Sequence, residues 1–266
     1  MILTALLAAA LPVVFSGGDE NRYTRVPAPG VRYRMNVAAA TSAPWVDSNM
    51  WRYRRAPEKA YLADARDKSV ALIMAEAHAE DIALAVQAGL GEKKEFDSML
   101  DFLRSLPDGP AGAWTDFTVS EDGSAQAGEA MNLLTRRNLL YGVAKPGAAA
   151  DFRLTSAIAN PYDFMQQVRE KVGDDRRLLR LFGSDLTLAR AARQGNRVRL
   201  RLVNYGSRPV ESLRVRLRGS YQAAHIKAHV YGHGSAKVSD LTVNAGYTEF
   251  TLDRVPVYAV VDLTGE

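Results

Sequence analysis

The chain has 266 residues, 47% of them hydrophobic and 24% charged, with 34 Lys and Arg against 30 Asp and Glu. That is globular composition, which excludes disordered, collagenous and disulfide-stapled classes. With no cysteine there is no thiolate nucleophile and no Cys-ligated metal or iron–sulfur site, so chemistry is left to carboxylates, hydroxyls, His, Lys and Tyr.

Residues 1–15, MILTALLAAALPVVF, carry no charge. The run is shorter than the ~20 residues a transmembrane helix needs. It matches the apolar core of a signal peptide, with Val14 and Ser16 as small residues before a cut at Gly17, although no Lys or Arg precedes it. The segment predicts a leader over residues 1–16 and a secreted or periplasmic mature chain with no membrane span. The alternative is a buried first strand or helix of a cytoplasmic domain.

From about 58 to 172 helical periods alternate with short apolar runs. Val70, Ile73, Met74 and Ala77 recur at i, i+3, i+4, i+7, as do Phe96, Met99, Leu100 and Leu103. Each set predicts an amphipathic helix, the second ending before Pro107-Asp108-Gly109-Pro110. A third helix is expected from Ser124 to about Asn138. A fourth has the clearest punctuation: Asn160 can cap, Pro161 suits the first helical position, and Gly173 can take the left-handed stop. Strands are expected at Ile82 to Val86, Trp114 to Val119 and Tyr141 to Ala144. The alternation argues for α/β organisation with a largely parallel sheet.

After residue 185 the period becomes two. In 197–202 and 213–218 arginines alternate with Val and Leu, the pattern of half-buried antiparallel strands. More strands follow at 224–231, 236–242, 248–252 and 255–263, separated by glycine-containing turns, which predicts an all-β sandwich over 179–266. The charge changes in step: residues 1–150 hold 16 basic and 18 acidic side chains, residues 151–266 hold 18 and 12. A boundary therefore falls near 175–185.

Three groups of residues carry a resemblance: Thr41-Ser42-Ala43-Pro44-Trp45-Val46-Asp47-Ser48-Asn49; Glu121-Asp122-Gly123-Ser124 with Met131 to Leu140; and Leu202-Val203-Asn204-Tyr205-Gly206 with Val257 to Leu263. Over about 40–266 the chain resembles a poorly characterised group of secreted bacterial proteins related to glycoside hydrolases. The resemblance implies an α/β barrel-like region, a flavodoxin-like α/β segment, both within 17–178, and a C-terminal β-sandwich. It assigns no catalytic residue. A leader of 16 residues and a sandwich from 179 leave about 160 residues, too few for a complete (β/α)₈ barrel of ~250. The α/β region is thus expected to be a partial barrel or a flavodoxin-like open fold.

Glycoside cleavage needs two carboxyl groups in a cleft that offers stacking surfaces. The stretch Trp45 to Tyr53 concentrates the right types. Asp47 is the candidate catalytic acid, base or nucleophile, and Trp45, Asn49, Trp51 and Arg52 are the candidate sugar-binding residues, because rings stack on CH faces while amide and guanidinium groups bridge hydroxyls. The alternative makes Trp45 and Trp51 core anchors and Asp47-Ser48-Asn49 a turn or helix cap. Glu76, Glu80 and Asp81, with His78 nearby, read as a solvated helix face, and Asp116, Glu121 and Asp122 as a strand end, turn and cap. His225 and His229 lie about 13 Å apart along a strand, so no metal site is expected there. Arginines 197, 199, 201, 214, 216 and 218 read as the wet face of a sheet, and without interleaved aromatics they predict no nucleic-acid partner.

Carbohydrate is thus the expected partner, with no cofactor. Hydrolysis by paired carboxylates and a non-catalytic binding or assembly module both remain open. An incomplete barrel leaves strand edges unpaired and predicts a homo-oligomer or a covering partner subunit.

Overall fold

The computed structural model describes residues 11–18, 20–36 and 41–265. Of the leader expected at 1–16, residues 1–10 lie outside the described residues, whereas Val13 and Val14 form a strand that pairs in parallel with Ala85 and Val86, so this end of the segment is built into the first sheet. In chain order the elements are β1 (Val13–Val14), β2 (Thr24–Val26), β3 (Gly30–Asn36), β4 (Thr41–Asp47), α1 (Met50–Arg55), β5 (Tyr61–Asp64), α2 (Val70–Ala79), β6 (Leu84–Gln87), α3 (Lys93–Ser105), β7 (Phe117–Glu121), α4 (Ala125–Arg136), β8 (Tyr141–Val143), β9 (Phe152–Leu154) and α5 (Pro161–Val172). Nine further strands complete the chain: β10 (Leu179–Phe182), β11 (Thr187–Gln194), β12 (Arg197–Asn204), β13 (Val210–Arg218), β14 (Ile226–Val230), β15 (Gly234–Ala236), β16 (Val238–Asn244), β17 (Tyr247–Val255) and β18 (Tyr258–Thr264).

The parallel strands form two sheets, ordered β1-β6-β5-β2 and β8-β7-β9. Among the described residues no single ring of eight strands is present. β3 and β4 make a separate antiparallel pair, with Gly30 opposite Asp47 and Arg32 opposite Trp45. The remaining strands form two antiparallel sheets, β11-β12-β18-β14-β15 and β10-β13-β17-β16. Their facing apolar residues, among them Leu200, Leu202, Val261, Leu213, Val215 and Phe250, share one core. This is the consequence of period-two alternation, which turns alternate side chains such as Val198, Leu200 and Leu202 toward the facing sheet.

Local signals account for two helix starts. Ser124 accepts from the Ala127 amide at the head of α4, and Asn160 accepts from the amides of Tyr162 and Asp163 at the head of α5. Pro161 occupies the first turn of α5, and Gly173 ends it at φ 77°, where a side chain would be strained. Asn160→Ala, which strips two amides of their acceptor, is expected to cost about 1 kcal/mol, measured by denaturant unfolding.

Two expectations are corrected. α2 is not amphipathic: all ten of its residues are buried. It lies between the first parallel sheet and the five-stranded antiparallel sheet, in a core that joins Val70, Ile73 and Met74 to Leu188, Val203, Tyr258 and Val260. A helix apolar on every side is a buried one, and VALIMAEAHA offers only Glu76, His78 and the alanines as polar or small interruptions. The same packing covers part of the arginine face expected to be wet. Arg199 and Arg201 are each 3% exposed. Arg199 forms a two-point ion pair with Asp262 and donates to the Pro107 carbonyl, while Arg201 bonds Asp81 and the Ala79 carbonyl. Arg214 and Arg216, on the other antiparallel sheet, stay half-buried and pair with Glu249.

Candidate functional site

β4 delivers Trp45 and Asp47 to the mouth of a cavity, and α1, starting three residues later, delivers Trp51 and Arg52 to the same place. Pro27, Ala28, Arg32, Trp45, Asp47, Ser48, Asn49, Trp51, Arg52, Glu129 and Asn132 line this cavity of about 430 Å³. All five residues singled out in the sequence therefore share one wall system. The size lies within the range that small-ligand pockets occupy, ~300–1,000 Å³.

Two members come from elsewhere in the chain. Glu129 and Asn132 stand on α4, which is pressed against α1: a Cβ on Gly128 would sit 3.0 Å from the Trp51 ring. The missing side chain at 128 is what lets α4 bring its polar face up to Trp51. Glu129, Asn132 and Arg136 follow the i, i+3, i+7 spacing of one helix face, opposite Met131, Leu134 and Ala127, which are buried. That polar stripe is the sequence signal that marks Glu129 as the second carboxylate of the cavity.

Asp47 is ion-paired with Arg32 across the β3–β4 pair. Arg32 is solvent-exposed and its pKa is raised by the hydrogen bond and charge of Asp47. Asn49 is buried, with its side-chain amide donating to the Pro27 carbonyl at 2.8 Å and to Glu76 at 3.1 Å. Both N–H groups are thus spent on the wall, and only its carbonyl oxygen can meet a ligand. Arg136 lies over the Trp45 ring at 3.3 Å, and Arg52 over the Trp51 ring at 4.2 Å, so guanidinium groups already stack on both rings. Asn132 donates to Glu129 at 3.3 Å, while its buried Oδ1 finds no donor among the described residues. An acceptor in that condition beside an open cavity is placed to receive a ligand hydroxyl.

Beneath the cavity lies Glu76, fully buried on α2. Its Oε1 accepts from Ser48 Oγ at 2.8 Å, the Asn49 amide at 2.7 Å and Tyr205 OH at 2.6 Å, and its Oε2 accepts from Asn49 Nδ2. Burial raises the Glu76 pKa, with the donors from Tyr205, Ser48 and Asn49 opposing it. One turn on, Glu80 receives Arg54 at 2.6 Å and lies 3.5 Å from Arg190. Burial pushes the Glu80 pKa up, but Arg54 and Arg190 outweigh it and the net direction is down. His78 sits 2.8 Å from Tyr258 OH and is held down to about 3 by burial beside Arg201 and Arg199. The carboxylates expected on a solvated face are therefore supports. Asp116, Glu121 and Asp122 are supports as well: Asp116 accepts from the Leu178 and Leu140 amides, Glu121 pairs with Arg55 at 2.8 Å, and Asp122 accepts from the Ser124 and Ser156 amides. Among the described residues no three His, Asp or Glu side chains are grouped to hold a metal ion, and no helix is long and apolar enough to cross a membrane.

Parallel strands with intervening helices, followed by two facing antiparallel sheets, make a fold shared with a glycoside hydrolase. The α-L-fucosidase isoenzyme 2 from Paenibacillus thiaminolyticus superimposes with a TM-score of 0.59 at 6% identity, over 81% of this chain and 62% of that one. The chain thus spans less than two thirds of the fucosidase. A family 30 subfamily 8 xylanase, Xyn30A, from Clostridium acetobutylicum (11% identity, 73% of this chain and 58% of that one) and the maltogenic α-amylase AmyB from Thermotoga neapolitana (12%, 82% and 58%) are also similar, each with a TM-score of 0.24, too low to indicate a shared fold. No protein-family model matches the chain, and no curated protein sequence does.

Proposed function

We propose that the chain is a carbohydrate-active protein of glycoside-hydrolase type, with a barrel-derived and then flavodoxin-like α/β region over 17–178 and a closing β-sandwich over 179–266. The uncharged apolar residues 1–15 support a secreted or periplasmic location. The sugar occupies the cavity between β4, α1 and α4. Asp47 and Glu129 supply the two carboxyl groups, Asn132 Oδ1 accepts a sugar hydroxyl, Arg52 donates to another, and Trp45 and Trp51 offer the ring surface that their guanidinium neighbours leave open.

The observation that carries this reading is the meeting of two carboxylates, two tryptophans and an orphan buried acceptor in one cavity, the equipment that sugar recognition needs. Wild-type protein is expected to retain an oligosaccharide on a glycan panel, read by calorimetry. Asn132→Ala is expected to weaken that binding about three- to tenfold, the worth of one hydrogen bond. Retention of no glycan by the wild type would end the reading.

One observation favours a binding module without turnover. The carboxylate of Asp47 is engaged by Arg32, and a nucleophile or base would have to act from within that ion pair. A protein that holds a glycan and releases no sugar from any aryl glycoside is the outcome this second reading expects.

A further inference from the structure

A second cavity, of about 180 Å³, opens where the end of α4 meets β10, lined by Arg136, Arg137, Asn138, Arg169, Asp174, Arg177, Arg180, Leu181, Phe182, Ser184 and Asp185. Five guanidinium groups face two carboxylates there. Asp174 is spent on Arg169 and Arg177, at 2.5 and 3.3 Å, and Asp185 is exposed. The Arg137 side chain has no hydrogen bond or ion pair with a described residue. Arg180 stacks over the Phe182 ring at 4.9 Å, and its ion pair among the described residues is with Asp175 at 3.9 Å, a carboxylate 94% exposed, so water screens the pair. The part of the wall made by Arg137 and Arg180 is therefore left with uncompensated positive charge.

Two donors are also left over. Arg177 is 7% exposed, and while its terminal nitrogens bond Asp174 and the carbonyls of Arg137 and Asn138, its buried Nε has no acceptor among the described residues. Ser184 Oγ accepts from the Leu186 amide and from Thr187 Oγ1, which leaves its own proton free to donate. Donors without acceptors, in a cavity of net positive charge, want an anion with several acceptor oxygens. At about 180 Å³ the cavity is smaller than the ~300–1,000 Å³ of ordinary small-ligand pockets, a size suited to one such group.

We infer that this cavity is an oxyanion site that takes one sulfate, phosphate or carboxylate group, and that the saccharide of the adjoining pocket is an acidic one. The second clause rests on the sugar reading above, and Arg136 is the link. It lines the oxyanion cavity, covers the Trp45 ring of the sugar pocket, and continues the α4 stripe that begins with Glu129 and Asn132. The two cavities share no lining residue, so Arg136, stacked on Trp45 and lining the oxyanion cavity, is what would connect a ring seated against Trp45 to that recess.

Inorganic sulfate is the first probe, against sodium chloride of equal ionic strength. Sulfate is expected to raise the melting temperature of the wild type. In the Arg137→Ala/Arg180→Ala variant the midpoint of that response moves at least about tenfold higher, the loss of two charge-assisted contacts, and Arg137→Lys/Arg180→Lys recovers part of it. Equal sulfate responses in wild type and double alanine variant, or none in either, would overturn the site. The second probe is oligogalacturonate against its methyl ester, the same sugar without charge. Binding of the acid at least about tenfold tighter, with the preference lost in the alanine variant, supports an acidic saccharide; equal binding overturns it. If neither sugar binds while the sulfate response persists and depends on the two arginines, the sugar reading fails and the oxyanion site stands.

Discussion

Replacing Glu76 with alanine is expected to destabilise the protein by about 4 kcal/mol and lower its melting temperature by roughly 10 °C, read by calorimetry. Glu76 Oε1 accepts from Ser48 Oγ, Tyr205 OH and the Asn49 amide, all buried. Ser48 Oγ and Tyr205 OH also lie 3.0 Å apart, close enough for one hydroxyl to donate to the other once Glu76 is gone. Alanine leaves one of the two hydroxyl protons and the Asn49 amide desolvated and unmatched, at about 1–3 kcal/mol per group before relaxation, and the cavity left by the side chain adds to that. Three segments distant in sequence come apart together: α2, the Ser48-Asn49 link between β4 and α1, and the residue that follows β12. Glu76→Gln keeps the volume and an oxygen at the Oε1 position, so its loss should be less than half as large. Alanine as stable as wild type would show that the hub contributes nothing.

The same residue gives a pH signature. The folded-state pKa of Glu76 is raised by burial from its ordinary 4.5, so the folded state holds its proton more tightly than the unfolded chain does. The stability gained from that proton is present below the unfolded value and is lost as pH rises through the folded value. Glu80, whose pKa is lowered by Arg54 and Arg190 against the effect of burial, works in the opposite sense, losing its contribution as pH falls. In the Glu76→Gln variant the first slope should vanish and the second remain, read from unfolding midpoints across a pH series.

How far the sequence discloses this arrangement depends on the range of the interaction that decides each element. Caps at Ser124 and Asn160 and the stop at Gly173 act within three or four residues, and they stand where their chemistry places them. The alternation through Arg197 to Leu202 likewise declares a strand, because side-chain direction in a strand needs only neighbours. What covers that strand is a long-range matter. Arg199 and Arg201 look like surface residues until α2 and the loop at Pro107 close over them. The same holds for Glu76 and Glu80: their i, i+4 spacing reads as a wet stripe, and only the lack of lysine or arginine anywhere in 70–79 hints that the helix has no wet side. β5, four residues of Tyr61–Asp64, is too short to show a period. β4 escapes as a strand because Pro44 interrupts it, which an edge pair tolerates, and because Asp47-Ser48-Asn49 has turn composition. The site is half legible for a parallel reason. Trp45, Asp47, Asn49, Trp51 and Arg52 are local and cluster in sequence, whereas Glu129 and Asn132 reach them only through the close approach of α4 to Trp51 at Gly128.

Asp47→Asn is expected to lower the release of sugar from a cleavable glycoside by about 10²–10⁴-fold, the range that one carboxyl acting in acid–base catalysis supplies, while leaving glycan affinity within about threefold of wild type. The fold should not register the change. Asp47 and Arg32 are partly exposed on a two-stranded edge, and an ion pair in that setting contributes about 0–1 kcal/mol, so the melting temperature moves by a few degrees at most. Turnover and stability are thereby separated at this position, as they are not at Glu76, where a loss of activity would follow from a collapsed cavity wall. Glu129→Gln should reproduce the loss, since two carboxyl groups divide the chemistry, and the double variant should be little worse than either alone, because residues acting as a unit are not additive. Full turnover in Asp47→Asn would remove this carboxylate from the chemistry. Glycan binding with no turnover in the wild type would instead mean that Arg32 holds Asp47 as part of a binding wall, and then Arg32→Ala, which frees the carboxylate, should change affinity and still release no sugar.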